Sequence, residues 1–419
     1  MWILLALLAG GLLVVLVANL SSGEKKIEHG VEHLYPVSDP QFVRSMDTLL
    51  GPAILSGNRV TALVNGDQIF PAMLDAIRGA TRTITFETFI YWSGSIGKAF
   101  ADALTDRARA GVKVHVLLDW VGTGKMDASM LREMEQAGVE VVKYHPLRWY
   151  NLGRLNNRTH RKLLVVDGRT GFTGGVGIAD NWLGHAQDPD HWRDSHFKLE
   201  GPGVAQMQAA FMDNWIEATA RVQHGDAYFP QLDPVGPQQV QMFKSSANEA
   251  SESVRLMYLL SIAAAEESVL IANAYFVPDT LAVDTLVAAR RRGVRVEIIV
   301  PGRHIDTAIV RKASRSRWEP LLEAGVTIYE YLPTMYHTKV MVVDKLWTSV
   351  GSTNFDNRSF RLNDEANLNI LDAEFAREQI RLFEADKAQS KQLTLEWWRS
   401  RPWRQRATEW VTGLLRLQL

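Results

Sequence analysis

The chain has 419 residues, of which 46% are hydrophobic and 22% are charged. This length and composition suit two ordinary domains with substantial cores, and they exclude a disordered or coiled-coil protein. The 46 lysines and arginines balance 47 aspartates and glutamates, so the net charge is -1 and no overall field would attract nucleic acid. A nucleic-acid partner is therefore not expected. Cysteine is absent, which excludes disulfides and thiol chemistry.

The first 20 residues form an apolar segment. Residues 1–20 carry no charged side chain, and their length is close to the ~20 residues that cross a bilayer as a helix. Small residues at 21–23 make a cleaved signal peptide the alternative. A signal peptide normally opens with basic side chains, and none is present here. The sequence therefore favours a single N-terminal membrane anchor.

Several segments of the chain repeat the same order of elements. The matching pairs are residues 84–87 with 270–273, 110–118 with 292–300, and 137–144 with 324–331. The second and third pairs are typical of a helix end, a glycine stop and a buried strand. Apolar strands that alternate with amphipathic helices predict an α/β fold with two similar α/β sandwich domains, each with a largely covered sheet.

A stretch with little periodicity separates the repeats. Residues 225–237 include Pro230, Pro234 and Pro237, a composition typical of a linker. The predicted segments are therefore a transmembrane or signal segment at 1–20, a first domain at 40–224, the linker at 225–237, a second domain at 238–395 and a tail at 396–419.

One short pattern, His-x-Lys followed after four residues by Asp, occurs twice. Its members are His160, Lys162 and Asp167 in the first copy, and His337, Lys339 and Asp344 in the second. Each copy is followed by a glycine-led turn, at residues 174–177 and 351–354. One short pattern is weak, but two with matching turns indicate a duplicated site. Both aspartates end a Val-Val strand, where a carboxylate more often satisfies turn amides than touches substrate, so we include them in the candidate site with a structural role.

The two motifs carry side chains suited to chemistry at phosphorus. Two imidazoles can divide the roles of nucleophile and general acid. Lys162 and Lys339 lie two residues after the histidines, on the same side of an extended strand, and can bind the non-bridging oxygens of a phosphodiester. Asn354 and the hydroxyl of Ser352 would add neutral donors. These donors predict covalent catalysis without a metal ion or another cofactor.

Two further carboxylates are candidates for orienting the histidines. An imidazole that holds one tautomer needs an acceptor on its other nitrogen. Asp194 and Glu365 lie downstream of the two turns. We predict that Asp194 pairs with His160 and that Glu365 pairs with His337.

The turns themselves differ between the copies. Gly177 stands where the second copy has Asn354, and Gly175 stands opposite Ser352. The first half-site therefore lacks one neutral side-chain donor, although backbone amides can also bind an anion. We expect the two half-sites to be inequivalent.

The paired motifs resemble the signatures of the phospholipase D superfamily, whose active site is assembled from two half-sites across an internal pseudo-two-fold. Within it, the chain is most similar to bacterial cardiolipin synthases, on residues 159–162, 166–168, 172–176, 192–194, 200–202, 328–331, 337–339, 351–359 and 363–365. The resemblance implies a phospholipid substrate, a bacterial cell membrane location and transphosphatidylation through a phosphohistidine. Two phosphatidylglycerols would give cardiolipin and glycerol.

Two other classes of function stay open. A hydrolytic phospholipase D or a nuclease would use the same residues with water as acceptor, although the near-neutral charge and the apolar N-terminus count against nucleic acid. A catalytically silent membrane scaffold is the third class. Its main obstacle is that both His-x-Lys pairs are intact.

The C-terminal segment interleaves tryptophans with arginines and ends in an apolar run. Its members are Trp397, Trp398, Arg399, Arg401, Trp403, Arg404, Arg406, Trp410, Val411, Leu414, Leu415 and Leu417. Indole rings and arginines together suit the headgroup layer of a membrane. The alternative is a terminal helix docked on the second domain with its tryptophans in the core, and Pro402 interrupts either pattern.

Overall fold

The computed structural model describes residues 2–20, 27, 29–146, 156–246 and 253–413. Its helices are α1 (Trp2–Leu20), α2 (Pro40–Leu50), α3 (Asn65–Arg78), α4 (Ser95–Arg109), α5 (Ala128–Gln136), α6 (Val204–Thr219), α7 (Ser253–Ala263), α8 (Thr280–Arg291), α9 (Ala308–Arg315), α10 (Glu319–Glu323), α11 (Asn357–Arg361), α12 (Ala373–Ala388), α13 (Leu395–Arg399) and α14 (Trp403–Gly413). Its strands are β1 (Leu55–Val64), β2 (Thr83–Thr88), β3 (Lys113–Asp119), β4 (Glu140–Tyr144), β5 (Arg158–Thr159), β6 (Leu163–Val166), β7 (Thr170–Gly174), β8 (Ser195–Glu200), β9 (Gln238–Ser245), β10 (Ser268–Asn273), β11 (Phe276–Val277), β12 (Arg295–Pro301), β13 (Thr327–Tyr331), β14 (Lys339–Val343), β15 (Trp347–Gly351), β16 (Phe355–Asp356), β17 (Asn363–Leu371) and β18 (Ser390–Leu393).

The repeated segments form equivalent elements in the two halves. The first pair lies in β2 and β10, the second in the ends of α4 and α8 and in β3 and β12, and the third in β4 and β13. Gly111 and Gly293 follow α4 and α8 with φ values of 89° and 98°, a backbone conformation that favours glycine. The predicted alternation of strands and helices is therefore confirmed.

Most of the described strands belong to one 16-stranded sheet. The two halves meet where β1 pairs antiparallel with β9, with Leu55 opposite Val240 and Asn58 opposite Gln238. From this junction the first half continues through β8, β7, β6, β2, β3 and β4, and the second through β17, β15, β14, β10, β12 and β13, with β18 at its edge. Equivalent strands therefore occupy equal positions on either side of the junction, and the sheets of the two halves are joined.

Helices cover both faces of this sheet. Side chains of α3, α4 and α5 pack on the outer face of the first half, and those of α7, α8 and α10 pack on the outer face of the second. A third cluster joins α6 and α12 to the inner faces of both halves, where the rings of Phe197 and Phe375 lie 6.1 Å apart. The two halves therefore share one core, which fixes one motif relative to the other.

The predicted first domain begins too early. Phe42, Met46 and Leu50 form the buried face of α2 at a spacing of four residues. The Phe42 ring contacts the Trp347 ring edge-on, with centroids 4.9 Å apart. Residues 40–50 thus pack on the second half, because the apolar face of α2 matches the outer core around β15. The predicted linker, 225–237, contains no helix or strand and runs between α6 and β9.

The two ends of the chain carry helices. Among the described residues, no helix combines the length and the apolar character needed to cross a membrane. Near the C-terminus, Trp398 is buried in the second-half core, whereas Trp403 and Trp410 are 73% and 67% exposed. The docked-helix interpretation therefore holds for Trp398, and the membrane-interface interpretation of Trp403 and Trp410 stays a prediction. Residues 21–23 and 414–419 lie outside the described ranges.

Candidate active site

The residues just before each motif histidine pair with the backbone of the opposite half. β5 pairs in parallel with the start of β17, and the backbone amide of His160 donates to the carbonyl of Asp364 at 2.9 Å. In the equivalent place Arg193 forms a bridge with Tyr336, and the amide of His337 donates to the carbonyl of Arg193 at 2.8 Å. Each histidine is thereby placed beside a carboxylate of the other half.

The histidine and carboxylate pairs are crossed between the halves. Nδ1 of His160 lies 2.9 and 3.0 Å from the two carboxylate oxygens of Glu365. Nδ1 of His337 lies 2.7 Å from Oδ2 of Asp194. The predicted pairing of His160 with Asp194 and of His337 with Glu365 is therefore wrong. Its premise, that each carboxylate serves its own half, fails because the peptides before the histidines pair with the opposite half.

Burial keeps both imidazoles neutral near pH 7. Desolvation lowers the pKa of His160 to about 4, although the charge of Glu365 acts in the opposite direction. Desolvation and the charge of Lys339 also lower the pKa of His337. With Nδ1–H assigned to the bond with the carboxylate, the lone pair of each ring lies on Nε2. A neutral Nε2 can act as a nucleophile.

The two carboxylates are ionised despite their burial. Burial alone would raise the pKa of Asp194, but His337 holds that pKa below its usual value, through its charge when it is protonated and through its hydrogen bond. Glu365 shows the same balance, with His160 and then Lys162 outweighing desolvation to lower its pKa. An ionised carboxylate orients the imidazole and stabilises the imidazolium form that a proton transfer creates.

The two motif lysines are buried beside the histidines. Nζ of Lys162 donates to the carbonyl of His160 at 2.8 Å, and Nζ of Lys339 donates to that of His337 at 2.6 Å. Desolvation lowers the pKa of Lys162 to about 7 and that of Lys339 to about 8, and the charge of Lys339 also lowers the pKa of Lys162. The two halves thus contribute cations to one electrostatic environment, where a bound phosphodiester would favour the charged ammonium forms.

Ser352 supports a carboxylate in the structure. Its hydroxyl is fully buried, donates to Oε2 of Glu365 at 2.5 Å and accepts from the amide of Ala366 at 3.0 Å. The hydroxyl of Ser359 donates to the other oxygen of Glu365 at 2.6 Å. The predicted donation from Ser352 to the phosphate is therefore wrong, because the hydroxyl lies behind Glu365 and is engaged there. Ser352 is a positioning residue.

The first half holds its carboxylate differently. A Cβ added at Gly175 would lie 2.2 Å from Oδ1 of Asp194, so no side chain fits at the position equivalent to Ser352. The indole N–H of Trp182 donates to Oδ2 of Asp194 at 2.9 Å, and the amide of Ser195 donates to Oδ1 at 2.8 Å. The glycine of the first turn is thus required by the close approach of the carboxylate.

Asn354 provides a side-chain amide in the second half alone. It is 4% exposed, and its side-chain oxygen has no hydrogen-bond partner among the described residues. A Cβ at the equivalent Gly177 would lie 2.7 Å from Cβ of Ile90, so the first half has no room for such an amide. Asn354 is therefore a buried side-chain amide that the second half has and the first half lacks.

The two motif aspartates bind backbone amides, as expected of residues with a structural role. The carboxylate of Asp167 accepts from the amides of Thr81, Arg82 and Thr83 at 2.8–2.9 Å. The carboxylate of Asp344 accepts from the amides of Glu266, Glu267 and Ser268 at 2.8 Å. Both aspartates adopt positive φ, 53° and 49°, at the turn after the motif strand. The two aspartates bind the backbone at the start of β2 and of β10, and they do not touch the histidines.

Comparisons with known proteins agree with this geometry. A family model described as cardiolipin synthase, PLD-like domain, matches residues 73–215 and 258–387, one motif in each range. The chain belongs to this family. Cardiolipin synthase A of Pseudomonas fluorescens is 35% identical over 355 residues, which cover 84% of this chain and 74% of the relative. The major cardiolipin synthase ClsA of Bacillus subtilis is 36% identical over 362 residues, 85% of this chain and 75% of the relative.

A solved structure shares the fold of this cardiolipin synthase family member. The phosphatidylserine synthase of Haemophilus influenzae Rd KW20 superposes with a TM-score of 0.68 at 15% identity, covering 90% of this chain and 98% of that chain. The likeness shows a mixed α/β fold. Among the described residues, no group of three or more histidine, aspartate or glutamate side chains could hold a metal ion.

Aromatic rings flank the histidines of this cardiolipin synthase family member. The ring of Phe89 lies 5.5 Å from that of His160, and the rings of Trp182 and Trp192 lie 5.3 and 5.5 Å from that of His337. These rings lie beside two histidines that are only 9% and 6% exposed, and they give the site an apolar wall next to its charges. Sequence reasoning missed them. The only signal was that Trp192 stands two residues before Asp194 in a segment shared with the family.

Proposed function

We propose that the protein is a cardiolipin synthase that joins two phosphatidylglycerol molecules and releases glycerol. The observation that carries the proposal is the pair of neutral imidazoles, each held by an ionised carboxylate of the other half, with a buried lysine beside each imidazole. One imidazole can form a bond to phosphorus while the other handles protons.

The first half-reaction replaces glycerol by histidine. Nε2 of one imidazole attacks the phosphorus of a phosphatidylglycerol, and the bond from phosphorus to the glycerol oxygen breaks. The other imidazole, protonated when the anionic substrate is bound, gives its proton to the departing oxygen. Lys162, Lys339 and Asn354 bind the non-bridging oxygens, where negative charge is concentrated in the transition state.

The second half-reaction transfers the phosphatidyl group to a new alcohol. The imidazole that gave up its proton now accepts one from the terminal hydroxyl of a second phosphatidylglycerol. That oxygen attacks phosphorus, the bond to histidine breaks, and cardiolipin leaves a neutral histidine behind. The flanking rings of Phe89, Trp182 and Trp192 favour this alcohol over water by limiting solvent access.

A membrane location follows from the substrate and is part of the proposal. Helix α1 has no charged side chain, and its Leu7, Leu12 and Val14 are 70%, 74% and 69% exposed. Such side chains are stabilised by contact with lipid. We propose that α1 anchors the protein in the bacterial cell membrane. Recovery of the protein in the membrane fraction after alkaline extraction would support this, and its release into the supernatant would contradict it.

The activity is tested by mass spectrometry of the products from purified protein and phosphatidylglycerol vesicles. Cardiolipin with an equal amount of glycerol is expected, together with a phosphatidyl adduct on one histidine when the reaction is quenched early. A His160→Ala, His337→Ala double variant serves as control. Phosphatidic acid as the sole product would instead indicate hydrolysis, and no product would indicate a scaffold.

A further inference from the structure

Helix α14 turns a polar face toward the rest of the protein. Glu409 is 3% exposed, and its carboxylate accepts from Gln405 at 2.9 Å and forms ion pairs with Arg401 and, at 3.5 Å, with Arg315 of α9. Gly413, one turn on, packs closely on Ser316. Buried and hydrogen-bonded charges of this kind hold a helix in one orientation. The helix is therefore docked with a defined outer face.

The outer face of α14 is apolar, the reverse of an ordinary surface helix. Trp403, Ala407, Trp410 and Val411 lie at the spacing of one helical stripe, and all four are exposed, the two tryptophans by 73% and 67%. In globular proteins the apolar stripe of a surface helix faces the core. We call these four residues the tryptophan face. Its large exposed apolar side chains indicate an interaction surface.

Two exposed arginines lie on α14 next to the tryptophan face, and two further exposed cations line a cleft on the other side of the helix. Arg404 and Arg406 on α14, and Arg303 and Lys312 beside it, are exposed, and none of these four forms an ion pair with a carboxylate among the described residues. By contrast, Arg315 at the inner side of the helix is paired with Glu330 at 2.7 Å. This side of the protein is therefore locally basic, although the net charge of the chain is -1.

A basic cleft beside α14 lies near the second half-site. A cleft of about 480 Å³ between α9 and α14 is lined by Arg303, Ile305 and Lys312, among others. Arg303 and Ile305 belong to the loop 302–307, which precedes α9. In the same loop, Asp306 accepts a hydrogen bond from Tyr275 at 2.5 Å, and the Tyr275 ring lies 6.5 Å from that of His337. Residues 302–307 thus separate the basic cleft from the second half-site.

We propose that the tryptophan face and the four exposed cations on α14 and in the neighbouring cleft dock on an anionic lipid bilayer and hold residues 302–307 at the level of the headgroups. Tryptophan and arginine side chains are both stabilised at this depth, where the indole ring contacts acyl chains and the guanidinium contacts phosphates. A second copy of the chain is disfavoured as the occupant, because a two-fold contact through this face would bring the same cations together. The inference deepens the proposed function and rests on it in one respect: it gives the side from which the phospholipid reaches His337.

The contact with lipid is tested by a single label, because the chain has no cysteine. Full-length Ala407→Cys carries a spin label in the middle of the tryptophan face, and full-length Arg132→Cys carries the same label on an exposed position of α5 as control. With phosphatidylglycerol vesicles, the label at 407 is expected to become accessible to oxygen and protected from a water-soluble nickel complex, while the label at 132 stays in water. With phosphatidylcholine vesicles, protection at 407 should be weaker.

Two results of the labelling experiment would overturn the proposal. One is a label at 407 that stays as accessible to nickel as the label at 132 on phosphatidylglycerol vesicles. The other is protection at 407 that appears without lipid and grows with protein concentration, since that would assign the face to a second copy. Both readings are independent of catalysis, so they stand even if the protein were found not to make cardiolipin.

Substitution of the indoles tests the consequence for turnover. Trp403→Ser with Trp410→Ser is compared with Leu49→Ser and Val222→Ser, which replace apolar residues that are each 62% exposed elsewhere. Because both indoles lose their contact with lipid, the double variant should turn over phosphatidylglycerol vesicles at least about tenfold more slowly than the wild type. The rate on substrate dispersed in detergent should stay unchanged, which also shows that the variant is folded. Equal rates of the two double variants on vesicles would contradict the proposal.

Discussion

The two half-sites share a backbone frame and differ in what surrounds each carboxylate. In the second half, Glu365 is held by the hydroxyls of Ser352 and Ser359. In the first half, Asp194 is held by an indole and a backbone amide. Gly175 has no side chain and so leaves room for the carboxylate of Asp194. Duplication has therefore conserved the positions of histidine, lysine and carboxylate, while the supporting contacts have diverged between the halves.

The difference between the halves matters because the pairs are crossed. Each half supplies one histidine and its lysine, together with the carboxylate that binds the histidine of the opposite half. Neither half therefore contains a histidine with its own carboxylate partner. The shared core around Phe197 and Phe375 and the short pairings at β5 and Arg193 then determine the catalytic geometry. A change that shifts one half relative to the other would disturb both histidines at once.

The largest effect is expected from removal of either histidine. His160→Ala and His337→Ala should each lower cardiolipin formation by ~10²-fold or more, with the larger loss at the nucleophile, because the two roles come from different halves. Turnover of phosphatidylglycerol measures the loss, and His185→Ala, which removes an exposed imidazole bonded to Asp67, serves as control. Near wild-type turnover in either variant would break the shared-site arrangement.

Replacing the carboxylates tests the crossing itself. Asp194→Asn and Glu365→Gln should each lower turnover by about 10–100-fold, since an orienting partner is lost. In nitrogen-15 spectra of the histidines, Glu365→Gln should alter the tautomer signals of His160, and Asp194→Asn those of His337. The reverse assignment, with Asp194→Asn acting on His160 alone, would restore the pairing within each half.

Sequence could predict the elements and most of the site, but not the contacts between halves. The twin motifs and the repeated strands identify side chains that the structure brings together, because each pattern depends on spacing within about a dozen residues. The pair of His160 and Glu365 spans 205 residues, and that of His337 and Asp194 spans 143. The spacing of residues within a motif contains no information on contacts between residues so far apart in the sequence. The direction of the Ser352 hydroxyl, and the packing of α2 on the second half, depend on the same long-range contacts.

Exchanging side chains at the two turns sharpens the contrast between the halves. Ser352→Ala removes one hydrogen bond to a charged carboxylate and should lower turnover by about tenfold. Gly175→Ala places a Cβ 2.2 Å from Oδ1 of Asp194, so it should displace that carboxylate and cost about as much as Asp194→Asn. Steady-state kinetics with circular dichroism as a folding control would show the difference. Equal turnover of the Ser352→Ala and Gly175→Ala variants would contradict the proposed difference between the two turns.

The two lysines should be distinguishable by pH. Because burial lowers the pKa of Lys162 to about 7 and that of Lys339 to about 8, both are charged below pH 7 and lose their protons in turn as the pH rises. Competitive inhibition by sulfate, an anion that does not titrate in this range, should weaken by up to about tenfold per pH unit above 7, and more steeply above 8. Lys162→Met should remove the lower transition and Lys339→Met the upper. An inhibition constant that does not change between pH 6 and pH 9 would contradict these assignments.

The smallest effect is expected from chelation. A metal ion at a phosphoryl-transfer site neutralises the oxygens of the phosphate and stabilises the transition state. Here the two lysines and the amide of Asn354 can supply this stabilisation from both halves, with the pKa of each lysine raised again by the anion it binds. Turnover of phosphatidylglycerol should therefore stay within about twofold after EDTA treatment and removal of the chelate by gel filtration. Loss of activity that returns with a divalent cation would show that the protein donors are insufficient, and it would assign part of the charge stabilisation to a metal. If Lys339→Met became dependent on a divalent cation while the wild type did not, that would support the role of the lysine, since the cation would then replace a charge that the second half normally provides.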